Sequence, residues 1–154
     1  MKDRNFFIVL LILICLAVSA SGLFAADIPT FEIPQNAAAF DDNGDGIIDH
    51  WEYMNSRGGT TICLDTKGIG EVTYVLEQDA EGYKFAEAMD YNGDGLLDDF
   101  YYYNREVLIR QEIDTNYDGK IDTWVYLTEG VYIERYERDT DYDGVVDLVK
   151  RFGQ

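Results

Sequence analysis

The sequence predicts an all-β fold, an antiparallel meander of about five repeats in which each loop and its β-hairpin span 24 or 25 residues. Three observations lead to this prediction. A nine-residue motif recurs along the chain, its copies keep a nearly constant period, and strand-forming runs broken by short turns lie between them. Because each repeat then adds two antiparallel strands, we expect the motif loops at one end of the strands and the turns at the other.

The recurring motif reads Asp-x-(Asn/Asp)-x-Asp-Gly-x-(aliphatic)-Asp. Its four copies begin at Asp41, Asp90, Asp114 and Asp139. The starts are separated by 49, 24 and 25 residues, so the first gap is wide enough for a fifth unit. That unit begins at Asp65, but Lys67, Ile69 and Thr73 replace the polar residues at positions three, five and nine. We interpret it as a unit that keeps the fold and has lost its ion.

Strand-forming runs flank a short turn in every unit. In the unit that begins at Asp114, residues 121–127 and 131–138 are rich in β-branched and aromatic residues and flank a glycine-containing turn, which favours a hairpin. The same plan recurs over residues 47–64, 71–89 and 97–113, and the last copy supplies a single strand over residues 146–152.

Aligning the units shows two columns of mostly aromatic residues. Position eleven holds Trp51, Val75, Phe100, Trp124 and Val149. Position thirteen holds Tyr53, Glu77, Tyr102, Tyr126 and Arg151. Both positions share one face of the sheet, because side chains alternate along a strand. We favour a core of stacked side chains over an exposed strip that binds a carbohydrate or a protein, because so aromatic a sheet must bury surface.

The motif has the layout of a loop that binds a hard cation. Oxygen atoms at positions one, three, five and nine, a backbone carbonyl at seven and a glycine at six suit calcium best. The candidate ligands are Asp41, Asn43, Asp45, Ile47 and Asp49 in loop one, Asp90, Asn92, Asp94, Leu96 and Asp98 in loop two, Asp114, Asn116, Asp118, Lys120 and Asp122 in loop three, and Asp139, Asp141, Asp143, Val145 and Asp147 in loop four. A single Asn-Gly or Asp-Gly turn needs no metal, but four copies in register favour ligation.

The loops resemble those of the EF-hand family over nine positions, and the shorter loops of integrin-type FG-GAP repeats, dockerins and thrombospondin type 3 repeats. The EF-hand resemblance implies a glutamate at position twelve, and only loop one has one, Glu52. Elsewhere position twelve is Tyr101, Val125 or Lys150, so the FG-GAP resemblance implies that the ninth aspartate is a direct ligand. The arrangement of one hairpin per loop resembles repeats in uncharacterised exported bacterial proteins, which imply no activity.

The N-terminal residues predict export. Lys2 and Arg4 precede an apolar run over residues 6–18 and then small residues, an order typical of a signal peptide over residues 1–26. An uncleaved anchor is the alternative, although the run is short for a membrane span. We expect a linker over residues 27–40 and a single repeat domain over residues 41–154, in the periplasm or outside the cell.

Composition limits the partners and the function. The net charge is −18, and 13 of 19 aspartates occupy ligand positions, which disfavours nucleic acid and anionic membranes as partners. After cleavage Cys63 is alone, so we expect no disulfide and a bound metal as the alternative stabiliser. The sequence favours a calcium-stabilised structural or binding module over a calcium sensor, which needs paired helices. We expect no enzyme, because a glycoside hydrolase needs free paired carboxylates and the aspartates are already ligands.

Overall fold

The fold is described from a computed structural model, in which residues 26–29 and 31–153 are described. Nearly all of the predicted signal peptide lies outside these residues. No helix among them is long and apolar enough to cross a membrane. The strands are β1 (Ala26–Asp27), β2 (Ala38–Phe40), β3 (His50–Met54), β4 (Thr60–Leu64), β5 (Tyr74–Gln78), β6 (Lys84–Met89), β7 (Asp99–Asn104), β8 (Val107–Ile113), β9 (Lys120–Ile121), β10 (Thr123–Thr128), β11 (Tyr132–Arg138) and β12 (Leu148–Arg151).

Ten of these strands form one sheet, in the order β12-β11-β10-β8-β7-β6-β5-β4-β3-β2. Every neighbouring pair is antiparallel. The predicted all-β antiparallel meander is therefore confirmed. Three of the five loops lie between consecutive hairpins, loop one lies between β2 and β3, and loop four lies between β11 and β12. The loops therefore share one end of the sheet and the hairpin turns share the other. The motif has specified this order locally, because each hairpin closes within its own unit.

One row of side chains forms the core on the front face of the sheet. Cα pairing places Trp51, Cys63, Val75, Ala88 and Phe100 side by side, and the same row continues through β8 to Trp124. The buried apolar residues are Cys63, Val75, Ala88, Leu97, Phe100, Ile121 and Trp124. At position eleven Val75, Phe100 and Trp124 are buried, in agreement with the core interpretation, whereas Trp51 is half-buried and Val149 is exposed.

Position thirteen forms a second, half-buried row on the same face. The guanidinium of Arg110 lies over the ring of Tyr102 at 4.2 Å, and that of Arg135 lies over Tyr126 at 3.8 Å. Such cation–π contacts stabilise the tyrosines, and each guanidinium covers one face of the ring.

Residues 26–29 and 31–37 of the N-terminal segment lie against the front face of the sheet. β1 pairs with β9, and the Ile28 N–H donates a hydrogen bond to the Gly119 carbonyl at 3.2 Å. Ile28 and Phe31 pack against the core, and β2 then joins the sheet beside β3. The apolar residues of this segment cover front-face surface that the small side chain of Ala88 leaves open.

Replacing Phe100 by alanine tests the core row. Phe100 is 2% exposed, so Phe100→Ala should lower the free energy of unfolding by about 3–5 kcal/mol. The matched control is Phe152→Ala, in which the residue is 47% exposed and the change should stay within about 0.5 kcal/mol. Chemical denaturation measures both variants. Equal losses in the two would contradict a core centred on the front-face row.

Candidate metal centre

The first aspartate of each loop gathers the backbone of that loop around its carboxylate. Asp41 accepts hydrogen bonds from the N–H groups of Gly44, Asp45 and Gly46 at 2.7, 3.2 and 2.8 Å. Asp114 accepts them from the same three positions of loop three, and Asp65 does so in the degenerate unit. Position one therefore shapes the loop whether or not the other ligand positions are acidic.

Position six needs glycine because its backbone is left-handed. The φ angle is 91° at Gly46 and 93° at Gly144, and it is also positive at the equivalent glycines of the other three loops. Residues that carry a side chain rarely adopt this left-handed backbone conformation. Position four is also left-handed, and there loops three and four hold Tyr117 and Tyr142 with φ of 61° and 60°.

The aspartate at position nine closes each loop by accepting from position two. Asp49 accepts the Asp42 N–H at 2.9 Å, and Asp122 accepts both the N–H and the hydroxyl of Thr115. The other ninth residues do the same, Asp98 with Tyr91 and Asp147 with Thr140. In the degenerate unit the Thr73 hydroxyl accepts the Thr66 N–H at 2.7 Å. The ninth residue thus has a structural role that sequence reasoning missed, although a hydroxyl at position 73 is a signal for it.

Positions three and five distinguish the four acidic loops from the degenerate one. Asn43 Oδ1 accepts the Asp45 N–H at 2.9 Å, and Asp45 Oδ1 accepts the Ile47 N–H at 2.8 Å. Loops two and three repeat this pattern, with bonds from Asp94 and Leu96 and from Asp118 and Lys120 to the residue two positions earlier. In loops two and three the asparagine Nδ2 also donates to the second oxygen of the aspartate at position five, at 2.8 Å from Asn92 to Asp94 and at 3.1 Å from Asn116 to Asp118. The degenerate unit keeps positions one and nine and lacks these oxygens.

Loop four brings three carboxylates together. Asp139, Asp141 and Asp143 each offer an oxygen, and these atoms lie within 4.8 Å of one another, so this group can hold a metal ion. Asp139 is 1% exposed, and its buried Oδ1 has no hydrogen-bond partner among the described residues. The Asp143 charge raises the pKa of Asp141 above its usual value. An orphaned buried carboxylate oxygen is costly unless a cation satisfies it.

A small cavity of about 10 Å³ lies between loops three and four. It is lined by Asp118, Lys120, Ile121, Asp122, Asp139, Tyr142 and Gly144. This volume is about that of one water molecule or small ion. The cavity gives Asp139 space for one small group, and Lys120 contributes a positive charge to the lining beside the carboxylates. Val145, at position seven of loop four, follows Gly144 in the chain. Its N–H donates to Asp143 Oδ1 at 2.9 Å.

In loop two, a lysine from the neighbouring loop already contacts the first aspartate. Lys67 Nζ lies 3.2 Å from Asp90 Oδ1, whose side chain is fully buried. Burial raises the pKa of Asp90, but hydrogen bonds from Gly93, Gly95 and Lys67 outweigh it and hold the pKa below its usual value. The sequence analysis treated Lys67 only as a lost ligand. Its position almost one repeat before Asp90 is the signal that could have found the contact, because neighbouring loops lie side by side.

Loop one exits into a strand, β3, and Glu52 is its third residue. Glu52 lies in β3 and pairs with Ala38 and Ile62. Its carboxylate lies 3.2 Å from His50 Nε2, while His50 Nδ1 lies 2.9 Å from Asp42. An EF-hand needs a helix at this point to bring position twelve back to the ion. Glu52 instead belongs to an acidic pair around His50.

Backbone hydrogen bonds join each loop to the next. The N–H of the first aspartate donates to the position-nine carbonyl of the preceding loop. The four bonds are Asp65 to Asp49 at 2.8 Å, Asp90 to Thr73 at 3.0 Å, Asp114 to Asp98 at 2.9 Å and Asp139 to Asp122 at 2.9 Å. The loops thus form a continuous ladder along the end of the sheet. This ladder brings acidic loops into contact and adds to the demand for positive charge.

Comparison with known proteins gives little further information. No protein-family model matches the chain, and no curated protein matches it. A solved structure described as "Crystal Structure of TarM" is similar with a TM-score of 0.44 and 16% sequence identity. The similarity covers 67% of this chain and 19% of that chain, so this chain spans about a fifth of its length. No functional inference is drawn from this similarity.

Replacing Asp65 by asparagine tests the structural role of position one. Burial raises the pKa of Asp65, but four backbone N–H groups outweigh it and lower the pKa below its usual 3.8. Stability from this carboxylate is therefore present above that value and is lost as the pH falls through the lower folded pKa. Asp65→Asn should lower the free energy of unfolding by about 1–3 kcal/mol at neutral pH.

The pH dependence is the control for this prediction. In denaturation curves from pH 7 to about pH 2, the gap between the unmodified chain and Asp65→Asn should narrow only below about pH 4. A gap that stays constant over the whole range would show that the charge of Asp65 does not matter.

Replacing Lys67 by methionine tests the contact between loops. Lys67→Met removes a positive charge that competes with any cation at Asp90, so the affinity of loop two for a divalent cation, with calcium as the probe, should rise by about tenfold or more. Lys84→Met is the control. Lys84 Nζ lies 2.7 Å from Glu87 Oε2, so this substitution removes the same charge from an ion pair away from the loops. Amide chemical shifts of Gly93 and Gly95 during a calcium titration report on this loop. Equal affinities in the two variants would refute the competition.

Proposed function

We propose that this chain is an exported calcium-binding protein, in which the acidic loops stabilise a β-repeat domain that serves as a structural or binding module. The observation that carries the proposal is the Asp139, Asp141 and Asp143 group, with oxygens within 4.8 Å of one another. The unpartnered Oδ1 of the buried Asp139 supports a cation at that point. Asparagine and aspartate oxygens at the same loop positions support equivalent sites in loops one to three.

The donor set favours calcium over magnesium. Calcium accepts six to eight oxygen ligands in flexible geometry, whereas magnesium requires a near-ideal octahedron and keeps several waters. A loop of carboxylate, amide and backbone oxygens offers the large number of oxygen ligands that calcium accepts. For extracellular modules, dissociation constants on the order of 10⁻⁴ to 10⁻³ M are typical, and the calcium concentrations met after export suit this range.

The role of the ion in this proposal is structural. Carboxylates at positions one, five and nine, and also at position three in loop four, repel one another, and repulsion at short range destabilises the loops unless a cation lies between them. The loops set the end of every hairpin, so bound ions stabilise the sheet as a whole. The alternative of a calcium sensor is less favoured, because sensor EF-hands open paired helices and the described residues form strands.

A calcium titration with a loop-four variant tests the proposal. At about 100 times the dissociation constant, each independent site should add roughly 2.7 kcal/mol to the free energy of unfolding. Asp141→Asn combined with Asp143→Asn should remove the share of loop four. Chemical denaturation in calcium, in magnesium and in EGTA measures the stability, and calorimetry counts the bound ions.

The matched control changes the same charge away from the loops. Glu32→Gln combined with Glu81→Gln removes two exposed carboxylates and should leave both the number of bound ions and the gain in stability unchanged. An unmodified chain with the same denaturation midpoint in EGTA and in calcium, and without bound ions, would refute the proposed function.

A further inference from the structure

The sheet ends in two different edge strands, β2 and β12. Within the described residues, β2 pairs only with β3 and β12 pairs only with β11. Each edge therefore presents unpaired backbone N–H and C=O groups, which can pair with another strand. Phe40 on β2 is 42% exposed and Val149 on β12 is 52% exposed, so both edges also carry exposed apolar side chains.

The two edges are complementary halves of one repeat. In each complete unit, a strand that leaves a loop pairs with the strand that enters the next loop, as in β3 with β4 and β10 with β11. β12 leaves loop four, and no following strand pairs with it among residues 26–29 and 31–153. β2 enters loop one, and no preceding strand pairs with it there. The missing partner of each edge is the kind of strand found at the other edge.

The register of the complete units fixes how the two edges would align. Within each unit, position eleven pairs with the residue two before the next loop, as in Trp51 with Cys63 and Trp124 with Glu137. The same rule places Val149 opposite Ala39. Phe40 and Leu148 then face each other on the back of the sheet, as His50 faces Leu64 within the chain.

The directions of the strands allow this pairing. Every step across the ten-stranded sheet is antiparallel, so β2 and β12 run in opposite directions. A second copy displaced along the sheet therefore presents its β2 antiparallel to β12 of the first copy, with the loops at the same end. Sheets are extended in this way when a strand is added at an exposed edge.

The ladder between the loops points to the same alignment. The first aspartate of each later loop donates its N–H to the position-nine carbonyl of the preceding loop. Asp41 belongs to the first acidic loop and Asp147 ends the last, so the described residues give neither this partner. In the aligned copies, the Asp41 N–H of one copy faces the Asp147 carbonyl of the other. The junction thus repeats a contact that occurs four times within the chain.

Side chains at the junction are compatible in size and charge. In this register Lys150 lies opposite Ala38, whose other neighbour across the sheet is Glu52. A small alanine lets the lysine side chain extend toward the carboxylate. Charged residues on an edge strand normally protect it from non-specific pairing. Lys150 on β12 therefore favours a partner strand that places a small alanine opposite the lysine and a carboxylate nearby.

From the edges, the register and the loop ladder, we infer that β12 of one copy of this chain pairs with β2 of a second copy, head to tail, with Val149 opposite Ala39. The contact is heterologous, because two different edges meet. It leaves the opposite edges free, so further copies add in the same way and the copies form a continuous sheet.

Paired cysteines test this register. Ala39→Cys combined with Val149→Cys places two thiols directly opposite each other between copies, at a spacing that a disulfide can bridge. Oxidation should convert the chain into a ladder of dimers, trimers and longer species, with the new bridge located by mass spectrometry. Cys63 is fully buried and should not compete.

Two controls distinguish this register from other contacts. Ala39→Cys combined with Lys150→Cys places the thiols on opposite faces and should give no ladder. Val149→Cys alone should form no disulfide-linked dimer, since such a dimer would mean that two β12 edges pair with each other and would overturn the proposal. Equal cross-linking in both double variants would overturn it as well.

Sedimentation of the unmodified full chain tests whether the pairing occurs without cross-links. The mean mass should rise with protein concentration in calcium at physiological ionic strength, where repulsion between the acidic loops is screened. A chain that stays monomeric at every concentration would overturn the proposal. Calcium binding is measured on the same samples, so a failure of edge pairing and a failure of calcium binding give separate results.

Discussion

The convergence of backbone N–H groups on a single carboxylate is the interaction on which this architecture depends. Asp41, Asp65 and Asp114 each hold a tight loop by accepting hydrogen bonds from the residues that follow. A loop of fixed shape determines where the next strand begins and which face its side chains occupy. The regular row of core residues is thus a consequence of five loops with the same conformation.

Acidic loops impose an electrostatic cost, and neighbouring units meet it in different ways. In loop four three carboxylates and an unpartnered buried oxygen leave the demand for positive charge open. In loop two the ammonium group of Lys67 supplies part of that charge from within the chain. The degenerate unit keeps its loop conformation without carboxylates at positions three and five. The conformation is therefore compatible with either source of positive charge, a bound cation or a lysine of the chain.

Local patterns in the sequence predicted most of the fold and the loops. Period and strand alternation predicted the meander, because hairpins close within one unit. Sequence reasoning could not predict the pairing of β1 with β9, which joins distant segments without a shared pattern. Sequence reasoning assigned Asp98 and the equivalent ninth aspartates to metal ligation. Asp98 also accepts the N–H of Tyr91 within its own loop, and the Thr73 hydroxyl accepts the Thr66 N–H in the same way. The assignment of Glu52 as a candidate ligand depended on whether a helix or a strand follows loop one.

The N-terminal segment changes how the repeats respond to stress. In a simple repeat array each unit contacts only its neighbours, so the ends can unfold one unit at a time. Here the segment before the first loop is bound to the third loop through β1 and Ile28. Pulling or proteolysis at that end must release contacts several units away. We therefore expect this contact between distant units to couple the unfolding of the early units, as in a globular domain that unfolds in one transition.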